Sequence, residues 1–191
     1  FQKANEKEVF QEILTSTVVD DIEEVDGGLK VTMKSADGDK GTNRSETYSK
    51  VLLTVGHRPN TGDLSLEAAG VETTDRGFVA VDDQRRTNKP HIYAVGDVTG
   101  PPLLAHKANL EGKVAAEVIA GHKSAYDPAT IPSVEYTDPE IAWAGVTEEQ
   151  AKERGLDVEV TSFPWAASGR ALAMGTNIGV TKMIIDKKSE R

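Results

Sequence analysis

Cysteine is absent from the sequence, and several other features are scarce. Without cysteine, these 191 residues cannot form a structural disulfide, a thiolate metal site or a redox-active dithiol. No apolar run approaches the roughly 18 residues of a membrane-spanning helix, and no signal-peptide pattern opens the chain. The net charge is -9 without a basic block, which argues against a nucleic-acid surface. We therefore expect a soluble, cytoplasmic protein with no membrane segment, nucleic-acid partner or metal site.

The first part of the chain carries two kinds of predicted β structure. Residues 18–48 alternate polar and apolar side chains around turns at Asp26 to Gly28 and at Asp37 and Gly38, which predicts an antiparallel β insertion. Val51 to Gly56 and Ile92 to Val95 are apolar throughout, as strands of a covered parallel sheet are. The opening residues 3–14 fit either a helix or a helix-to-strand connection.

Helices and a further strand complete the expected α/β part. Residues 64–70 predict a short helix, and residues 77–82 predict another strand. A longer helix is expected from about Lys107 to Ala120, with Gly121 placed to end it.

The last third of the sequence has a different pattern after a linker at Pro128 to Pro132. Residues 133–145 predict strand, turn and strand, and residues 157–163 and 180–186 predict two more strands. Thr147 and Gln150 have the spacing of a capping box at the start of a short helix. Because long helices do not alternate with these strands, we expect an α+β domain on an antiparallel sheet.

A candidate binding corner lies in the stretch IYAVGDVTGPPLLAHKANLEG, where Asp97 follows an apolar run and precedes the long helix. Ligands of open α/β sheets bind beyond the carboxyl ends of the strands. A carboxylate there can accept hydrogen bonds from sugar or ribityl hydroxyls, while the helix N-terminus favours a negative or electron-rich group. The pattern suits a polyol joined to an electron-poor ring. It equally fits a turn or cap residue that only stabilises the loop.

Motifs in a fixed order resemble those of the flavin-dependent pyridine nucleotide-disulphide oxidoreductases. They are VLLTVGHRPN, DDQRRTNKPHIYAVGD and PPLLAHKANLEGKVAAEVIAG, followed by PSVEYTDPEIAWAGVTEEQAKERG and FPWAASGRA. The resemblance implies parts of FAD- and NAD-binding Rossmann-like domains followed by the start of an α+β dimerisation domain. It divides the chain into the end of the NAD-binding domain (1–62), a returning FAD-binding segment (63–130) and the first half of the dimerisation domain (131–191).

The same resemblance assigns roles in FAD binding. It implies that Asp97 contacts the ribityl chain and that the backbone of Leu103, Leu104, Ala105 and His106 lies at the pyrimidine edge of the flavin. We therefore expect His106 to act through its main chain rather than as a base.

For NAD, the resemblance implies that Gly56 allows close approach of the nicotinamide cofactor. A plain strand-to-turn glycine is an equal alternative. His57 separates Gly56 from Arg58, so the register of this motif stays open.

The function implied is oxidation of protein-bound dihydrolipoamide with reduction of NAD, by a homodimer serving the lipoyl domains and core of 2-oxo acid dehydrogenase complexes. These residues do not contain the family's redox-active dithiol, its G-x-G-x-x-G loops or its catalytic His-Pro dyad. We therefore expect them to be a piece of a longer enzyme and to include none of its catalytic residues. The alternatives are another disulphide reductase or transhydrogenase, and a non-catalytic cofactor-binding or assembly module.

Overall fold

A computed structural model describes residues 10–37 and 42–190 and divides the chain into two compact units. The first unit ends at His57 and the second begins at Arg58. Most of the opening segment and the predicted turn residue Gly38 lie outside the described residues, while residues 10–14 form neither helix nor strand.

The first unit contains the predicted antiparallel insertion, a three-stranded sheet in the order β1-β2-β3. Its strands are β1 (Thr17–Val25), β2 (Gly28–Ser35) and β3 (Arg44–Tyr48). The hairpin closes by pairing Val25 with Gly28, so the predicted turn between β1 and β2 is confirmed. One face of β2 is buried at Val31 and Met33, which are only 5% and 7% exposed.

The predicted buried strand from Val51 to Gly56 is wrong for this structure. These residues belong to no helix or strand, and Leu52 and Val55 are 86% and 93% exposed. A strand of a parallel sheet takes its backbone hydrogen bonds from neighbouring strands and its burial from the helices that cover both faces of the sheet. No described strand pairs with this segment, so its apolar composition alone does not make it a strand.

The second unit contains the two predicted helices. A short helix spans Leu66–Ala69, and the helix Ala105–Ile119, here called the long helix, starts two residues earlier than expected. Gly121 ends it with a φ of +88°, and its N–H donates to the Val118 carbonyl at 3.0 Å. Both helices and the glycine stop are confirmed.

The predicted strands at residues 77–82 and 92–95 are wrong. Instead of continuous strand pairing, these segments form two isolated antiparallel β-bridges, which join Thr73 to Val79 and Arg86 to Tyr93. Val79 is 4% exposed and its N–H donates to the Val98 carbonyl at 2.9 Å. The apolar runs therefore reflect partial burial in an irregular region rather than continuous strand pairing.

The last third of the chain confirms the α+β class and the four predicted strands, but these strands form two separate two-stranded sheets rather than one sheet. Antiparallel pairs join β4 (Ser133–Glu135) to β5 (Ile141–Trp143), and β6 (Val158–Pro164) to β7 (Val180–Asp186).

Short helices span Glu148–Glu153 and Gly169–Ala173. The predicted capping box is present at the first of them, because Thr147 Oγ1 accepts from the Gln150 N–H at 3.2 Å and Gln150 Oε1 accepts from the Thr147 N–H at 3.1 Å.

Candidate functional site

Asp97 lies in a tight turn, the 3-10 helix Gly96–Thr99, rather than at the end of a regular strand. Gly96 has a φ of +85°, which favours glycine. A Cβ at Gly96 would lie 3.3 Å from the Cβ of Ala108, so the glycine lets the turn approach the long helix closely. The Asp97 side chain is exposed beside this contact and is open to a ligand.

A buried lysine of the long helix holds both ends of this turn. Lys107 is 4% exposed, and its Nζ donates to the carbonyls of Gly96 at 3.0 Å and Gly100 at 2.8 Å. It also lies 3.0 Å from Thr99 Oγ1. Since the two carbonyls bracket Asp97, the lysine fixes the backbone on either side of the carboxylate.

Glu111, one helical turn further on, completes the contact. Its side chain is fully buried, and its Oε2 accepts from the Gly96 N–H at 2.6 Å. Its Oε1 pairs with Lys107 Nζ at 3.3 Å and with Arg85 Nη1 at 3.0 Å. We call Arg85, Lys107 and Glu111 the buried ion cluster. It contains two cations and one carboxylate, which leaves one positive charge in excess beneath the Asp97 turn.

The ring of Tyr126 packs over Arg85, the most exposed residue of this cluster. The Arg85 guanidinium carbon lies 4.6 Å from the centre of its ring, within the range of a cation-π contact. Burial raises the pKa of Tyr126 above its ordinary value, and the nearby Glu111 carboxylate raises it further, while Arg85 opposes the shift. Within the described residues the buried Tyr126 hydroxyl has no hydrogen-bond partner, which favours its neutral form.

The long helix presents an uncapped N-terminus next to the turn. Leu104 is the N-cap residue, with extended backbone and no side-chain cap hydrogen bond. The first N–H groups of a helix have no partner within it and carry partial positive charge. Ala105 and His106 are exposed, while Leu103 and Leu104 are partly buried. The four residues predicted to line the pyrimidine edge thus lie together at this helix end.

His106 has a contact of its own. Its Nε2 donates to the Pro132 carbonyl at 2.7 Å. This hydrogen bond ties the His106 side chain to Pro132, where the last third of the chain begins. The main-chain role of His106 toward a flavin stays a prediction.

Gly56 lies in the first unit. Its φ is +109°, a backbone conformation that favours glycine, and a Cβ would meet no atom within 4 Å. The open space leaves room for a ligand. Its role toward NAD stays a prediction.

The donors and acceptors of the Asp97 corner fit the flavin that the resemblance implies. An exposed carboxylate can accept hydrogen bonds from ribityl hydroxyls, and uncapped helix amides can donate to an electron-rich ring edge. The sequence prediction named these groups but missed the buried ion cluster behind them. A signal was available, because Lys107 and Glu111 share one helical stripe with the buried Val114, Ala115 and Val118.

Comparison with protein families identifies the class. Residues 3–112 match the pyridine nucleotide-disulphide oxidoreductases, and residues 131–191 match the dimerisation domain of the same proteins. The chain belongs to the pyridine nucleotide-disulphide oxidoreductase family. The expected fold class, parts of FAD/NAD-binding Rossmann-like domains followed by an α+β dimerisation domain, is confirmed by these matches together with the structure.

Curated proteins with similar sequences include dihydrolipoyl dehydrogenases of several bacteria. The chain is 50% identical to dihydrolipoyl dehydrogenase of Haemophilus influenzae and 48% identical to that of Vibrio cholerae, each over 94% of this chain. It is 46% identical to the enzyme of Geobacillus stearothermophilus over 93% of this chain. The chain spans 37% of the length of each of these relatives.

Solved structures of related proteins have the same fold. The HOCl-induced flavoprotein disulfide reductase RclA from Escherichia coli aligns with a TM-score of 0.79 at 29% identity, over 91% of this chain and 39% of that chain. LpdA from Mycobacterium tuberculosis aligns with a TM-score of 0.77 at 27% identity, over 90% of this chain and 36% of that chain.

Proposed function

We propose that the chain is part of a dihydrolipoyl dehydrogenase and supplies the corner of that enzyme that binds the ribityl chain and pyrimidine edge of FAD. The overall reaction would oxidise a protein-bound dihydrolipoamide dithiol to the disulfide and reduce NAD⁺ to NADH, releasing one proton. Bound FAD would carry the two electrons between them. The proposal is supported by the 46–50% sequence identity to the Haemophilus, Vibrio and Geobacillus enzymes.

The observation that carries this proposal is that the exposed Asp97 lies next to the uncapped start of the long helix. The exposed Asp97 carboxylate would accept hydrogen bonds from ribityl hydroxyls. The Leu104 N–H donates to the Pro102 carbonyl at 3.1 Å, so the backbone amides of Ala105 and His106 would donate to the ring edge, where the helix N-terminus favours negative charge. The bonds from Lys107 to Gly96 and Gly100 keep the turn against the helix.

Gly56 and the segment 131–191 would have other roles in the enzyme. Gly56 would allow close approach of NAD. The segment 131–191 would form part of a homodimer interface, and exposed apolar side chains such as Trp143, Phe163 and Met183, which are 47%, 52% and 55% exposed, support this role. The enzyme would serve the lipoyl domains and core of 2-oxo acid dehydrogenase complexes in the cytoplasm. No helix of the described residues is long and apolar enough to cross a membrane.

A second candidate function is a different flavin-dependent disulfide reductase. The structural similarity to the RclA flavoprotein, with a TM-score of 0.79, favours this alternative. The sequence identity to that protein is 29%, against 50% for the Haemophilus dihydrolipoyl dehydrogenase, which favours the first proposal. Steady-state turnover of the full-length enzyme with dihydrolipoamide and NAD distinguishes the two.

Replacing Asp97 tests the proposed FAD contact. In the full-length enzyme, Asp97→Ala removes hydrogen bonds to a charged group worth about 1.5 to 3 kcal/mol, so FAD should bind about ten- to a hundredfold more weakly. Asp97→Asn should lose less, because its amide oxygen still accepts. The measurement is titration of the apoenzyme with FAD.

A matched control is Asp127→Ala, which removes another exposed aspartate of the same unit and should leave the FAD affinity unchanged. Equal affinities of the parent and the Asp97→Ala protein would refute the assigned contact.

A further inference from the structure

We propose that Lys107 and Glu111 are positioning residues that act on FAD through Asp97. They hold the five-residue segment Gly96 to Gly100 so that the Asp97 carboxylate keeps one direction. The inference rests on the proposed function, since the ligand of Asp97 is assigned there.

The contacts of Lys107 concentrate on this one segment. Its Nζ donates to the carbonyls of Gly96 and Gly100 at 3.0 and 2.8 Å and lies 3.0 Å from Thr99 Oγ1. These atoms lie on both sides of Asp97 in the chain. A single buried ammonium therefore ties the two ends of the turn together.

Glu111 fixes the same segment through a different group. Its Oε2 accepts from the Gly96 N–H at 2.6 Å and lies 3.2 Å from Thr99 Oγ1. Arg85 Nη1 donates to the other carboxylate oxygen, Oε1, at 3.0 Å. Gly96 thus has its N–H bound by Glu111 and its carbonyl bound by Lys107.

Stability alone is a weak reason for such an arrangement. Buried ion pairs are often no more stabilising than well-packed apolar residues of similar volume, because desolvation offsets the attraction between the charges. What an apolar pair could not do is bind the polar backbone groups of the turn. The cluster is therefore suited to fixing a loop conformation next to the carboxylate.

A double-mutant cycle on FAD affinity separates positioning from general stability. In the full-length enzyme, Lys107→Met should weaken FAD binding about tenfold, the scale of one misplaced hydrogen bond to a charged group. In the Asp97→Ala background the same change should weaken binding by less than about twofold, because its effect passes through Asp97.

Lys113→Met is the matched control on the same helix. Lys113 is 70% exposed and forms the equivalent i,i+4 pair with Glu117 at 3.8 Å. It should leave FAD affinity unchanged. In the apoenzyme, Lys107→Met should also speed hydrogen exchange at the Gly96 and Gly100 amides, while Lys113→Met should not.

Each outcome decides the inference. Equal weakening by Lys107→Met with and without Asp97, or no weakening at all, overturns the positioning role even where Asp97→Ala itself weakens binding. No effect of Asp97→Ala refutes the proposed FAD contact instead. If Lys107→Met does not fold, Thr99→Val removes only the hydroxyl at the centre of the cluster, and the same cycle with Asp97→Ala applies.

Discussion

Removal of the Glu111 carboxylate should strongly destabilise the second unit. The side chain has no exposure and accepts from the Gly96 N–H at 2.6 Å while pairing with Arg85 at 3.0 Å and Lys107 at 3.3 Å. Glu111→Ala leaves the buried Lys107 and the partly buried Arg85 without a counter-charge and the Gly96 amide without its acceptor. Removing one partner of a buried ion pair costs about 3 to 5 kcal/mol, so a loss in this range is expected.

The matched control is Glu117→Ala on the same helix. Glu117 pairs with Lys113 at 3.8 Å, and both side chains are largely solvent-accessible, at 40% and 70% exposure. Exposed i,i+4 pairs contribute about 0.3 to 0.5 kcal/mol, so this variant should be close to the parent. The assay is urea unfolding of the full-length apoenzyme, with hydrogen exchange of the long-helix amides to locate the effect. Equal losses for the two variants would refute the argument that the cluster is a buried, mutually dependent set.

Two further predictions concern the helix start and Tyr126. Ala105→Pro removes one N–H at the first helical position, where proline is tolerated, so the full-length enzyme should fold and bind FAD. In a spectroscopic redox titration the reduction potential of the flavin should fall by tens of millivolts, where about 30 mV corresponds to 1.4 kcal/mol. An unchanged potential would contradict a hydrogen bond from this amide to the flavin. Because the Tyr126 pKa is raised, mainly by burial, the neutral phenol stabilises the folded state fully below the unfolded pKa of about 10, and this contribution is lost as the pH rises through the higher folded pKa. Ultraviolet difference titration of the parent against Tyr126→Phe should show a component above pH 10, whereas a midpoint at or below about 10 would contradict the burial argument.

Local features of the fold could be read from the sequence because their determinants are close in the chain. The turn that pairs Val25 with Gly28, the reciprocal bonds of Thr147 and Gln150, and the stop at Gly121 each depend on a few neighbouring residues. Such signals do not require knowledge of what packs against the segment.

The strands predicted from apolar runs failed for the opposite reason. Whether Val51 to Gly56 forms a strand depends on neighbouring strands, and within the described residues none pairs with it. Ile92 to Val95 supplies one isolated bridge, through Tyr93, in place of a ladder. Apolar composition reports a tendency to be buried, while strand formation also needs a hydrogen-bonding partner.

The site was predictable only in part. Asp97 and the helix start stand out in the sequence, whereas Lys107 and Glu111 resemble an ordinary surface pair. Lys113 and Glu117 have the same residue types and spacing on the same helix. The two pairs differ only in the helix face they occupy, and charged residues are rarely buried unless paired.

The most direct test of the flavin-binding corner is a crystal structure of the full-length enzyme with FAD. We expect an Asp97 carboxylate oxygen within about 2.5 to 3.0 Å of a ribityl hydroxyl, the range of an O–H···O bond. We also expect backbone amides at the start of the long helix to face the pyrimidine edge of the ring. A ribityl chain held by other residues, with Asp97 directed into solvent, would contradict the proposed flavin contact.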